Sequence, residues 1–162
     1  MRISIRKQGN RNKLACLRLD GTLEVANLGP NLPHHDLAHY VVERQFRLRE
    51  GFFGNVARGY TFEQLSRKEV IQDLGRGTLA AEILTRSLQS LLSGACTPEQ
   101  LEELVNAEFA QWAIPQLRIG AAITQAMAAE LRQLLEQYAG LPDGGSMELE
   151  LDVESFAPAA VH

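Results

Sequence analysis

The chain predicts an α+β domain, a four-stranded antiparallel sheet of three N-terminal strands plus a C-terminal strand, packed by a layer of helices. Three observations carry that expectation. From Ile3 to Val25 apolar side chains recur at alternate positions in three short runs, the period of a strand with one buried face. The stretch Met147-Glu148-Leu149-Glu150-Leu151-Asp152-Val153-Glu154 alternates without a break. Between about Pro33 and Tyr138 the apolar spacing is helical instead.

Taken in order, Ile3-Ser4-Ile5 opens the first strand, Leu14 to Leu19 forms the second and Leu23-Glu24-Val25 the third. Gln8-Gly9-Asn10 and Asp20-Gly21 are the turns of this meander. Asp-Gly between strand-like runs predicts a hairpin with a type I′ turn, in which both central residues have positive φ. The polar face of the fourth strand is acidic, whereas the first strand carries Arg2 and Arg6. Opposite charges across a strand pair contribute about 0.2–1 kcal/mol each, so strand four is expected beside strand one.

Pro33 suits the first turn of a helix, and the first helix is expected from Pro33 to about Arg49, with Gly51 marking its end. Leu37, Val41 and Leu48 form its inner stripe, Ala38 and Val42 continue it, Arg44 and Arg47 face away, and Phe46 lies along the edge. Thr61-x-x-Gln64 and Ser66-x-x-Glu69 each fit a capping box, which predicts two short helices or one that restarts. Thr78 precedes a helix bearing Leu79, Ile83, Leu84, Leu88 and Leu91, stopped at Gly94. Thr97-Pro98-Glu99 begins the next, which carries Leu101, Leu104, Val105, Glu108 and Trp112 before Pro115. The last helix runs from about Thr124 to Tyr138, with Met127, Leu131, Leu134 and Leu135 inward. One domain over 1–154 follows, with a flexible tail over 155–162.

With 162 residues, 45% of them hydrophobic, the chain is long enough for one sizeable core and short for two. A net charge of −4 with scattered basic residues gives no footprint for a polyanion, so nucleic acid is not an expected partner. No apolar run approaches the length of a membrane span, and the basic-apolar start lacks the apolar core of a secretory signal. Cys16 and Cys96 stand far apart, in no metal or redox spacing. A reducing cytoplasm is the expected compartment.

The segment from His35 to Glu43 carries the chemistry. Steps of four residues advance about 40° around a helix, so His35, His39 and Glu43 share one stripe beside the apolar one. Imidazole and carboxylate are common zinc ligands; these three residues are the expected metal ligands, and Zn2+ is the expected ion. Eight residues of helix span about 12 Å, near the limit for two side chains to reach one ion. Because Cβ vectors tilt toward the N-terminus, Glu43 leans toward His39 while His35 leans away. Either the helix start bends, or Glu43 bonds to a ligating imidazole from outside and another carboxylate closes the site. Glu82 and Glu108 are the outside candidates, against ordinary roles as a partner of Arg86 at i+4 and as a solvated residue. Asp36 follows the first histidine, where H-E-x-x-H holds its general base, and is the candidate catalytic residue; its other role would be to stabilise the positive end of the helix. Tyr40 and Gly51-Phe52-Phe53-Gly54 are candidates for a pocket wall. Gly75-Arg76-Gly77 reads as a turn with a surface arginine.

Gly29-Pro30-Asn31-Leu32-Pro33, the segment His35-Asp36-Leu37-Ala38-His39-Tyr40-Val41-Val42-Glu43 and Gly51-Phe52-Phe53-Gly54 resemble a family of small uncharacterised bacterial proteins. The likeness reaches from the strand meander to about residue 80. Against its motif His34 is an extra residue, and His35 is the matching histidine. The resemblance implies a soluble bacterial protein and brings no activity. Separately, His35-Asp36-x-x-His39 is similar to the zinc protein family of ubiquinone biosynthesis, whose helix bears a glutamate twelve positions after the second histidine. That position is Gly51 here, with Glu50 one before it, so this resemblance implies two histidine ligands and leaves the final one open.

Two roles follow. One is a metal-binding protein, a hydrolase if the ion activates water and keeps an open position. The other is a non-catalytic interaction or scaffold domain with structural histidines, forming a homodimer through its amphipathic helices. No small-molecule ligand is legible.

Overall fold

Alternation at the N-terminus produces three antiparallel strands, β1 (Arg2–Gln8), β2 (Arg11–Leu17) and β3 (Leu23–Leu28), in the computed structural model, which describes residues 1–30 and 32–156. Seven helices follow: α1 (Leu32–Phe46), α2 (Phe52–Ala57), α3 (Phe62–Leu65), α4 (Lys68–Asp73), α5 (Arg76–Leu92), α6 (Pro98–Gln111) and α7 (Gly120–Ala139). Strand β4 (Ser146–Glu150) then returns to β1, and the sheet order is β3-β2-β1-β4. The fold is the α+β arrangement expected from sequence, with strand four antiparallel to strand one.

Charge accounts for only part of that pairing. Arg2 lies opposite Glu150, and Ser4 Oγ donates to Glu148 at 2.6 Å, but Arg6 faces Ser146 and donates from Nε to the Gly144 carbonyl. The inner face is mostly apolar: Ile3, Ile5, Leu14 and Cys16 are buried beneath the helices, joined by Asn12, whose side chain bonds to Tyr138 and the Gly29 carbonyl. Leu151 and Val153 keep alternating into the core past the last ladder residue, and Phe156 is buried too. The expected loose tail is therefore packed at Phe156; its remainder, 157–162, lies outside the described residues. Among the described residues no helix is long and apolar enough to cross a membrane.

The β2–β3 turn differs from the type I′ expectation. Gly21 has φ +84°, whereas no positive φ occurs at Asp20. Gly21 N donates to Arg18 O, and Arg18 N to Thr22 O, as in a three-residue loop that ends on a left-handed glycine. Asp20 Oδ1 accepts from both the backbone N–H and the hydroxyl of Thr22, which fixes the wider loop. A Cβ at Gly21 would meet nothing within 4 Å, so Gly21→Ala costs only backbone strain, about 1–2 kcal/mol. Urea unfolding is expected to show a lowered midpoint with an unchanged slope.

Helix α1 ends earlier than expected. Arg47 adopts a left-handed φ of +52°, and Leu48 N donates to Glu43 O, the closing bond of a Schellman motif built without glycine. This early stop leaves room for α2, which begins just after Gly51. Thr61 forms its capping box with Gln64, but Ser66 does not cap α4; its hydroxyl donates back to Glu63 O. Helix α5 begins at Arg76, ahead of Thr78. Helix α1 packs on α5 and α7, and α6 packs against both of those. Leu104 and Trp112 of the α6 segment are exposed.

Candidate metal centre

The α1–α5 contact brings two polar stripes together inside an otherwise apolar interface. On α5, Thr78, Glu82, Thr85 and Gln89 stand at i, i+4, i+7 and i+11, one face of a helix. On α1, His35, His39 and Glu43 face them. The helices run in opposite senses here, so Gln89 meets His35, while Glu82 and Thr85 meet His39.

His35 Nε2 and His39 Nε2 lie 3.1 Å apart. Glu82 Oε2 stands 3.2 Å from His39 Nε2 and 3.7 Å from His35 Nε2. Ligand atoms of these three residues all fall within 4.8 Å of one another, and the group could hold a metal ion. Each imidazole is oriented by its other nitrogen. His39 Nδ1 donates to Glu43 Oε1 at 3.2 Å, with Thr85 Oγ 3.3 Å from the same nitrogen. His35 Nδ1 donates to the Gln89 amide oxygen at 3.1 Å. Both Nε2 atoms therefore face the Glu82 carboxylate oxygen and each other. Nitrogens converged on a carboxylate in this way call for a positive charge among them, supplied by a proton on His39 or by a bound cation.

Electrostatics within the cluster agree. Burial pulls the His39 imidazolium down, yet the hydrogen bonds and charges of Glu43 and Glu82 together outweigh it and push its pKa up to about 9. Glu82 is held below the usual carboxylate range, chiefly by its hydrogen bond to His39. Its other oxygen lies 3.7 Å from Arg86 Nε, and Arg86 in turn binds Glu108 at 2.7 Å.

Glu43 lies outside the group, bonded to His39, which is the second of the two arrangements expected for it. The carboxylate in the group is Glu82, and Glu43 sits behind His39, fully buried. Its Oε1 accepts from Phe53 N and its Oε2 from Gly54 N at 2.8 Å. Those are the second and third residues of α2, so Glu43 supplies the capping oxygens that Gly51, lacking a side chain, does not. The length of eight helical residues is the physical reason that Glu43 and His35 meet no common atom. Glu108 is drawn to Arg86, away from the histidines. Glu50, the near-match to the ubiquinone-family glutamate, contributes its main-chain carbonyl to Asn55 and Thr78.

Asp36 is 7% exposed, its Oδ2 has no hydrogen-bond partner, and burial pushes its pKa up to about 6. It is the fifth residue of α1, beyond the first turn, which contains no acid, so a role at the positive end of the helix does not account for it. Instead Asp36 lines a cavity of about 760 Å³ that also reaches His35, His39 and Glu82. Phe52 lines that cavity, whereas Phe53 is fully buried and Tyr40 donates its hydroxyl to Glu150 O.

Thr85 and Gln89 carried no weight in the sequence, and Glu82 was only an outside candidate. The signal that singles them out is the polar stripe itself, four hydrogen-bonding side chains on one line of a helix that otherwise buries Ala81, Ile83, Leu84 and Leu88. Comparison with protein-family models, with curated proteins and with solved structures finds no match.

Proposed function

We propose that this chain is a zinc protein in which His35, His39 and Glu82 are the ligands, and that it hydrolyses a substrate bound in the adjoining cavity. The observation that supports this most is the orientation of the two imidazoles, whose outer nitrogens are already committed to Glu43 and Gln89. Carboxylate or amide partners on the far nitrogen fix the tautomer and raise ligand basicity. The spacing fits as well. Ligands about 2.0–2.1 Å from a tetrahedral ion lie about 3.3 Å from each other, and the three separations here are 3.1, 3.2 and 3.7 Å. Three protein ligands leave a fourth position for water, the pattern of catalytic rather than structural zinc. A cation held by these three residues would supply a water of pKa about 7 and polarise a substrate carbonyl. Asp36, which lines the same cavity, is assigned to take the proton and pass it to the leaving group.

Elemental analysis of protein purified without an affinity tag tests this. About one zinc per chain is expected, lost from His35→Ala, His39→Ala and Glu82→Ala, since each removes one of the three protein ligands. Glu108→Ala keeps its zinc. Asp36→Asn keeps zinc and loses about 10²–10⁴-fold in turnover. A wild-type chain that takes up no zinc after supplementation would instead mark His39 as a charged brace between Glu43 and Glu82, in a non-catalytic domain.

A further inference from the structure

We infer that the substrate is an acyl compound with an apolar chain, seated between Phe52, Leu65, Ile71, Leu79 and Trp112 with its carbonyl at the zinc position. This rests on the zinc reading above for the reacting end, while the chain-binding end stands on the cavity itself. At about 760 Å³ the cavity is of small-molecule size. Its apolar wall begins at the metal ligands: the Phe52 ring lies 5.7 Å from the His39 ring and is stacked on Phe62. Leu79 is one turn before Glu82 on the same helix. From Glu82 back to Arg76 the lining follows α5 for about 9 Å, room for a medium-length chain. At the mouth Ile71 is 42% and Trp112 54% exposed, large apolar surfaces left in water beside a cavity they help to line.

Three polar residues of the wall, Asn55, Thr78 and Arg76, point the same way, because each is already engaged by the protein. Asn55 Nδ2 donates to Glu50 O and Thr78 Oγ, its Oδ1 accepts from Arg58, and Thr78 donates to Glu50 O. Arg76 donates to Ala113 O. A sugar or a nucleotide would find few free partners along this surface, whereas an alkyl chain needs none. In the reaction, the water oxygen bonds to the carbonyl carbon and the bond from that carbon to the alcohol oxygen or amine nitrogen breaks. The leaving group takes the proton that water gives up, so an acid and an alcohol or amine result, with no change of oxidation state.

Trp112 is the only tryptophan of the chain, so intrinsic fluorescence reports on the cavity. Zinc-loaded full-length protein is titrated with octanohydroxamate and with acetohydroxamate, which share a zinc-binding head and differ by six methylenes. Each buried methylene is worth about fourfold. An octanohydroxamate affinity at least 100-fold higher, with a shift in Trp112 emission, is the expected result. Leu79→Glu should bring the two affinities together by weakening the longer compound, with zinc content as the check on folding. Equal affinities on zinc-loaded wild type, or unchanged emission, would overturn the inference. Octan-1-ol titrated into metal-free protein separates the two failures. If zinc does not bind but octanol shifts Trp112 emission, the zinc reading falls and the apolar-chain site stands. If zinc binds and the hydroxamates do not differ, the reverse holds.

Discussion

Glu43→Ala is expected to destabilise the protein by about 3–5 kcal/mol, the range for removing one partner of a buried charged hydrogen-bond cluster. The side chain is 0% exposed and accepts from Phe53 N, Gly54 N and His39 Nδ1. Its loss strands three donors away from water at once. A helix cap alone is worth about 1 kcal/mol, so the size of the effect separates a mere cap from the brace described above. Zinc affinity should fall 10–100-fold in the same variant even though every ligand is intact, because His39 loses the carboxylate that orients it. Gly51→Ala attacks the same carboxylate from the opposite side: a Cβ there would lie 2.2 Å from Glu43 Cδ. Its side chain is pinned by those donors and has no free direction to yield. Urea unfolding of metal-free protein, paired with zinc titration, measures both effects. A loss near 1 kcal/mol with unchanged zinc affinity would show Glu43 to be only a cap.

What could be read from the residues was whatever depends on local period or local charge. Strands β1 and β4 alternate because one face is buried, and the acidic face of one beside Arg2 of the other accounts for part of their pairing. The histidine pair was legible for a similar reason, since i,i+4 on one helix is a local relation. The ends of elements were less so. Arg47 closes α1 in a conformation that its own chemistry disfavours, and nothing near Gly51 in sequence announces that a glutamate eight residues back caps α2. Glu82 belongs to the group only because α5 packs antiparallel on α1, a tertiary fact absent from either helix alone. Trp112 was placed with the apolar residues of α6, but the helix ends at Gln111, and one residue beyond it the side chain turns to the cavity mouth.

Glu82 and Glu43 should therefore carry opposite thermodynamic signatures. Zinc at about 1,000 times its Kd stabilises a folded chain that binds it by about 4 kcal/mol. For a domain of this size that raises Tm by roughly 8–16 °C, reversed by a chelator. The Glu82 side chain is 40% exposed, and exposed ion pairs are worth about 0–1 kcal/mol, so metal-free Glu82→Gln should melt within a few degrees of wild type. Its zinc-induced shift, however, should shrink to a small fraction, since one of three ligands is gone. Glu43→Ala melts far lower in the absence of zinc and still responds to it, with weaker affinity. His39→Ala should combine the two patterns, because that ring is both a proposed ligand and the buried partner of Glu43. Differential scanning calorimetry of the four proteins, each with zinc and with chelator, distinguishes a metal centre from a hydrogen-bonded brace. In a brace, every variant would lose stability equally under both conditions, and wild type would gain nothing from zinc.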